Sequence, residues 1–171
     1  FRCAEERFLR NGSMPPRARL HLVGLFLYPV KSLRGLAVSH VALDSLGIVG
    51  DRRFLVVDLD GKFLTQRTHP RMALVDTAML DDRLVLSASG HGKVAVGLRS
   101  DPAAIPRSVS VWSSVGLSAE DCGEPAATWL SSVLGHPCRL VRAGRAFHRP
   151  VAKPGRSLPD DVVGFADAYP L

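Results

Sequence analysis

The sequence predicts a mainly β fold: a β-barrel carrying one helix or a few. Three observations predict it. Seven or eight short apolar segments recur between turn signals over about 95 residues, the pattern of a small barrel or sandwich. The 171 residues include 12 prolines and 15 glycines, enough to punctuate many short strands. Only one stretch carries a sustained helical period. An apolar share of 46% and a charged share of 22% are those of an ordinary globular chain and disfavour a disordered one.

The elements follow in order. Residues 1–19 show no period and run into Pro15-Pro16, so they are set aside as a leader or an extraneous segment. Residues 20–28 are apolar on both alternations, which predicts a strand buried on both faces and stopped, or placed at an edge, by Pro29. Residues 38–43 form the next short strand. Phe54–Val57 and residues 63–66 flank Asp58-Leu59-Asp60-Gly61, and the Asp-Gly pair favours a hairpin turn. Strands over 73–80 and 84–86 are separated by Asp81-Asp82. Those over 94–96 and 109–111 complete the set. The helix is placed at 122–134. Asp121 and Glu124 have capping-box spacing, Pro125 lies in the first turn, and Ala126, Trp129, Leu130, Val133 and Leu134 share a face. Gly135 and Pro137 end it. Residues 138–141 read as one more strand, and 142–160 as a basic, Pro- and Gly-rich loop. The apolar ending is expected to expose an apolar surface around 162–171.

Charge and composition exclude several function classes. Of the formal net charge of +6, residues 1–20 supply half, with five basic and two acidic side chains. No basic run exceeds two residues and aromatics are 6%, a pattern that speaks against a nucleic-acid partner. The longest apolar stretch, 20–30, is interrupted by His21 and Pro29. It falls short of the roughly 20 residues that cross a bilayer, so no membrane segment is expected. Three cysteines (Cys3, Cys122, Cys138) cannot make a disulfide framework. A soluble protein of a reducing compartment, the cytoplasm, is expected.

Few residues are placed to do chemistry. Lys31-Ser32 follows a strand stopped by proline. An ammonium and a hydroxyl there suit a phosphate, or they simply solvate a strand end. No Gly-rich run precedes the lysine, so this is not a P-loop. In Gly50-Asp51-Arg52-Arg53-Phe54, adjacent arginines at the start of a strand point to opposite faces. The inward one requires an anion or a carboxylate partner, and Asp51 is near enough to be that partner. Thr65-Gln66-Arg67 and His69-Pro70-Arg71 add further cations. The six histidines show no metal spacing and no Cys-x-x-Cys occurs, so neither a zinc nor an iron site is expected. There is no G-x-S-x-G elbow. Cys122, at a helix start, is either a thiol of lowered pKa or a small buried residue; Cys138 reads as core.

The order of these segments carries a resemblance. Tyr28-Pro-Val-Lys-Ser-Leu-Arg-Gly35 comes first, then Gly50-Asp-Arg-Arg-Phe54, Asp58-Leu-Asp-Gly-Lys-Phe-Leu-Thr-Gln-Arg67 and His69-Pro-Arg71. Much later come Asp121-Cys-Gly-Glu124, Trp129-Leu130 and Cys138-Arg-Leu-Val141. From about residue 20 to 171 this resembles the N-terminal β-barrel of MOSC proteins followed by the start of the MOSC domain, named for the C-terminal domain of molybdenum cofactor sulfurase. The resemblance implies a barrel over 20–115 and the first part of a truncated, β-rich MOSC domain over 116–171. It implies that Lys31, Ser32 and Arg52, with Arg67 from the same neighbourhood, hold the phosphate of a molybdenum cofactor (molybdopterin).

It further implies a molybdenum oxidoreductase of N-hydroxylated compounds, supplied with electrons by a cytochrome b5-like partner or an iron–sulfur domain. Other MOSC proteins are described as sulfur or cofactor carriers with pyridoxal phosphate chemistry, for which no lysine environment here speaks. In the family a molybdenum-ligating cysteine lies beyond the region matching 167–171. The chain is therefore expected to be an inactive fragment, with Cys122 and Cys138 at other family positions. The rival reading is a non-catalytic β-barrel binding module with Lys31 and Arg52 as surface groups.

Overall fold

The computed structural model describes residues 21–151, 158 and 160–167. The expected leader and Cys3, residues 152–157 and 159 of the basic loop, and 168–171 lie outside them. Among the described residues the architecture is mainly β with one α-helix. Its elements are β1 (Phe26–Leu27), β2 (Leu36–Ala37), β3 (Leu43–Asp44), β4 (Gly47–Ile48), β5 (Phe54–Val57), a 3-10 turn at Pro70–Leu74, β6 (Asp76–Leu80), β7 (Arg83–Ala88), β8 (Gly92–Gly97), β9 (Pro106–Val111), β10 (Ser114–Asp121), α1 (Glu124–Leu134) and β11 (Arg139–Arg142). A four-stranded sheet runs β5-β11-β10-β9 and a three-stranded sheet β6-β7-β8. β1-β2 and β3-β4 form two small ribbons.

β5 organises the core. All four of its residues are buried. Phe54 and Val56 point into one apolar cluster, Leu55 and Val57 into another, because successive strand residues face opposite ways. The first cluster fills the space beneath α1 with Leu130 and Val133, Leu84 and Leu86 from β7, and Leu140 from β11. The second holds Val109, Val111, Val141, Phe147 and Phe165. β5 is paired antiparallel to β11, with Leu55 opposite Val141.

Several expectations need correction. The long first strand over 20–28 shrinks to β1, and Leu22, Val23 and Phe26 are exposed. β1 has only two rungs, to β2, and no strand on its other side among the described residues. An unbroken apolar run does not by itself fix a strand. Residues 38–42 are no strand; β2 ends at Ala37 and β3 begins at Leu43. The Asp58–Gly61 turn does form, with Asp58 N donating to Lys62 O at 2.9 Å and Asp58 Oδ1 accepting from the amides of Asp60 and Lys62. The second arm reaches one residue past the Val57–Phe63 bridge, where Leu64 N donates to Val56 O at 2.8 Å, and the chain then turns back at Thr65. Residues 70–74 coil as a 3-10 turn before β6 begins.

Helix α1 starts at Glu124 with Gly123 as its N-cap at φ 91°, and no side chain caps it. The expected capping box is absent because Asp121 is engaged elsewhere. It accepts from Gly123 N (2.8 Å), Arg107 Nε (2.8 Å) and Arg139 Nε (2.5 Å). Gly135 ends the helix in the left-handed conformation. The expected apolar exposure at 162–171 is overturned where it is described: Val163, Gly164, Phe165 and Ala166 are buried. Phe165 packs edge-on against Phe147 with ring centroids 4.7 Å apart, and its amide donates to Arg52 O at 2.9 Å.

Candidate functional site

A cleft of about 310 Å³ opens between the turn after β1, the start of β5, the Thr65 turn and the tip of the β9–β10 hairpin. Lys31, Ser32, Arg52 and Arg67, the four residues singled out from the sequence, all line it. Two backbone bonds hold the first three together: Lys31 N donates to Phe54 O at 3.0 Å and Arg52 N to Tyr28 O at 2.7 Å. Gln66 reaches across to the Ser32 carbonyl at 3.0 Å, which fastens the Arg67 turn to the same wall. His69 and Arg71 do not join the site. His69 packs on His136, ring centroids 4.8 Å apart.

The adjacent arginines divide, but neither lies in β5, which begins at Phe54, and Arg52 has φ 44°, so the turn rather than strand alternation separates them. Arg52 turns to the cleft, lies over the Tyr28 ring at 4.8 Å and pairs with buried Asp51. Asp51 also accepts from the Tyr28 amide at 2.9 Å. Arg53 points away and pairs with Asp44 at 2.6 Å. The carboxylate alternative for Arg52 is thus realised, and the guanidinium still borders the cleft, since a paired arginine keeps spare donors. Arg67 is exposed and has no carboxylate partner among the described residues.

Backbone strain concentrates here. Four described non-glycine residues have positive φ, and three of them line the cleft: Ser32 (65°), Arg52 (44°) and Trp112 (53°). The fourth, Asp81, sits in the β6–β7 turn. Such conformations cost on the order of 1–3 kcal/mol each and cluster where function holds them.

Three contributors were not foreseen. Trp112 at the β9–β10 tip donates Nε1–H to Asp167 at 2.6 Å, and Asp167 also pairs with Lys31. Buried Arg149 donates to the carbonyls of Gly164 (3.0 Å) and Ala166 (2.6 Å), and its charge acts on both Lys31 and Asp167. No sequence spacing links these residues: Trp112 stands 55 positions from Asp167, and Lys31 stands 136 from it. A tryptophan at a hairpin tip was the one available signal. Burial lowers the Lys31 ammonium below the usual lysine range, and Asp167 offsets this only in part. Burial acts to raise the Asp167 carboxyl, but the hydrogen bonds from Lys31 and Trp112 outweigh it and hold it below the ordinary carboxylate range.

A larger depression of about 530 Å³ lies at the start of α1 and is rich in arginine. Its charges are largely matched internally: Asp121 takes Arg107 and Arg139, and Glu120 takes Arg142 at 2.7 Å. Cys122 borders it, and burial pushes its thiol up to about 12, so the reading of a low-pKa reactive thiol is corrected. Desolvation outweighs the one lowering influence, the charge of Arg142. Cys138 is core, as expected, and burial raises its thiol too. Neither cysteine reaches the cleft. Among the described residues no three His, Cys, Asp or Glu side chains converge as a metal site.

The MOSC N-terminal beta barrel domain matches residues 19–137. The chain belongs to that family. MOSC relatives include mitochondrial amidoxime-reducing component 1 of Mus musculus, 36% identical over 134 residues that make up 73% of this chain and 39% of the relative. Molybdenum cofactor sulfurase of Danio rerio is 34% identical over 75% of this chain and 16% of its own length. The chain therefore spans well under half of each of these relatives. The solution structure of a Bordetella bronchiseptica protein shares the fold, with a TM-score of 0.50 at 24% identity over 70% of this chain and 99% of that one. The MOSC match and the β architecture agree. Among the described residues no helix is long and apolar enough to cross a membrane.

Proposed function

We propose that this chain is the part of a MOSC molybdoenzyme that grips the phosphate end of the molybdenum cofactor, through Lys31, Ser32, Arg52 and Arg67. The observation that carries the reading is their convergence, from three separate turns, on one cleft whose backbone is strained at Ser32, Arg52 and Trp112. The donor set fits the group. A phosphate dianion takes charge-assisted hydrogen bonds, and the cleft offers an ammonium, a hydroxyl and two guanidiniums. Four cations, Lys31, Arg52, Arg67 and nearby Arg149, stand against the carboxylates of Asp51 and Asp167, an excess that matches a dianion. The thiols of Cys122 and Cys138 do not face the cleft, so a thiolate ligand for the metal has to come from residues other than these two.

The cofactor, when bound, supplies two-electron chemistry; the chain's own part is to bind and orient it. On this reading the whole protein reduces N–O bonds of N-hydroxylated compounds with electrons from a cytochrome b5-like or iron–sulfur donor. The test is molybdopterin content, assayed as its fluorescent oxidation product, in the natural full-length protein carrying Lys31→Ala or Arg52→Ala. Each loses a charge-assisted bond of about 1.5–3 kcal/mol, so retention falls roughly tenfold or more. Unchanged loading overturns the phosphate grip. Phosphate binding without molybdopterin favours an anion-binding module instead.

A further inference from the structure

The cleft carries its own counter-anion. One oxygen of Asp167 accepts from both Lys31 Nζ and Trp112 Nε1. The two ends of the ion pair differ sharply in exposure: 8% of the Lys31 side chain is accessible against 65% of Asp167. Asp167 can turn into water at little cost, whereas Lys31 cannot follow it. We propose that Asp167 is a specificity-determining residue of the cleft: its carboxylate holds the place on Lys31 and Trp112 that a ligand's anionic group must take, so that dianions such as a phosphate monoester enter and monoanions do not. This rests on the reading of the cleft as an anion site.

Charge supplies the discrimination. A monoanion that displaces Asp167 exchanges one negative charge on Lys31 for another. It also gives up translational freedom that a tethered carboxylate does not have to lose. It therefore gains nothing. A dianion brings a second charge into the field of Arg52 and Arg149, both of which act on Lys31. In a partly dehydrated cleft that second charge interacts more strongly than it does in water. Once Asp167 has left, a buried Lys31 without an anion is costly, so the exchange is coupled rather than stepwise.

The surroundings confine the motion to the side chain. Arg149 fastens the carbonyls of Gly164 and Ala166, the Phe165 amide is bonded to Arg52 O, and the Phe165 ring is fully buried. The backbone before Asp167 is thereby fixed, and the carboxylate stays within reach of Lys31 whether or not it is bound there. Trp112 reports the exchange directly, since its Nε1–H loses a carboxylate partner and gains the ligand.

The experiment follows Trp112 fluorescence in a Trp129→Phe background, because the chain has two tryptophans. The probes are inorganic phosphate at pH 8 and acetate at matched ionic strength. The unaltered cleft should respond to phosphate and not to acetate. With Asp167→Asn, phosphate should bind about tenfold tighter and acetate should become a ligand. If Asp167→Asn binds phosphate no tighter and still ignores acetate, the inference is overturned. Lys31→Ala separates this from the underlying reading. Should the phosphate response survive in Lys31→Ala, or should neither protein bind phosphate, the anion site itself fails and the inference with it. Should Lys31→Ala abolish the response while Asp167→Asn changes nothing, only the role of Asp167 fails.

Discussion

Val30 and Phe54 meet in a single parallel bridge, and that bridge sets Lys31 beside Arg52. On either side of Pro29 the chain is held: Arg52 N reaches Tyr28 O and Phe54 N reaches Pro29 O. Proline has no amide to offer, and Lys31 N returns the contact to Phe54 O at 3.0 Å. The buried side chains of Val30 and Phe54 anchor it in the core. Two polar motifs 21 residues apart thus share one wall of a cleft because the apolar residues between and beside them pack together.

Lys31→Met should leave the fold as stable as before, or more so by up to about 2 kcal/mol, while abolishing phosphate binding. Burial already lowers the Lys31 ammonium, so the charge is held at a cost to folding. Methionine keeps the stem and packs against the Phe63 and Trp112 rings, whose centroids lie 6.0 and 5.9 Å from Nζ. Asp167, freed, is already largely exposed. Thermal unfolding with and without phosphate checks both halves; a marked loss of stability would show Lys31 to be structural.

The legible part of this site was local. Lys31-Ser32 and Asp51-Arg52-Arg53 stand out because each is a polar cluster at the end of an apolar run. Trp112, Arg149 and Asp167 were illegible because their relation to Lys31 exists only after β9–β10 and the 160–167 segment have docked. The positive φ of Ser32, Arg52 and Trp112 has no sequence signal, since none of these residue types announces it. The fold shows the same division. Turn chemistry at Asp58–Gly61 was readable, but the length of β1 depends on a distant partner, Ala37.

Gly61→Ala should destabilise the protein by about 2–4 kcal/mol, lowering Tm by several degrees. Gly61 has φ 80°, and a Cβ built there would come within 2.2 Å of Ser108 O. The neighbour is strand backbone rather than a flexible side chain, so it cannot yield without breaking the Ser110 N–Gly61 O bond of 2.9 Å. A variant of unchanged Tm would mean that the Asp58 turn is not seated against β9.

Cys122 should resist thiol reagents in the folded protein and react once it is unfolded. With its thiol pushed up to about 12, thiolate is scarce at neutral pH, and only the thiolate attacks. In a Cys3→Ser background, labelling by a disulfide reagent at pH 8 should proceed at the rate of global opening, and Cys138 should follow the same course because it is core. Rapid stoichiometric labelling of one thiol in the native state would reinstate Cys122 as a reactive group.

Asp121→Asn should cost about 1.5–3 kcal/mol, the loss of charge-assisted hydrogen bonds to a buried carboxylate. Its side chain is 5% exposed and bridges Arg107 and Arg139. Burial acts to raise the carboxyl, but the bonds from Arg139, the Gly123 amide and Arg107 prevail and hold it below its ordinary 3.8. The folded state therefore binds this proton less readily than the unfolded one. The stabilisation is complete above about pH 4 and is lost as pH falls through the folded pKa. Urea unfolding measured from pH 6 down to pH 2.5 should show a decline below pH 4 that is shallower in Asp121→Asn. Parallel declines in the two proteins would remove Asp121 as a source of the acid sensitivity.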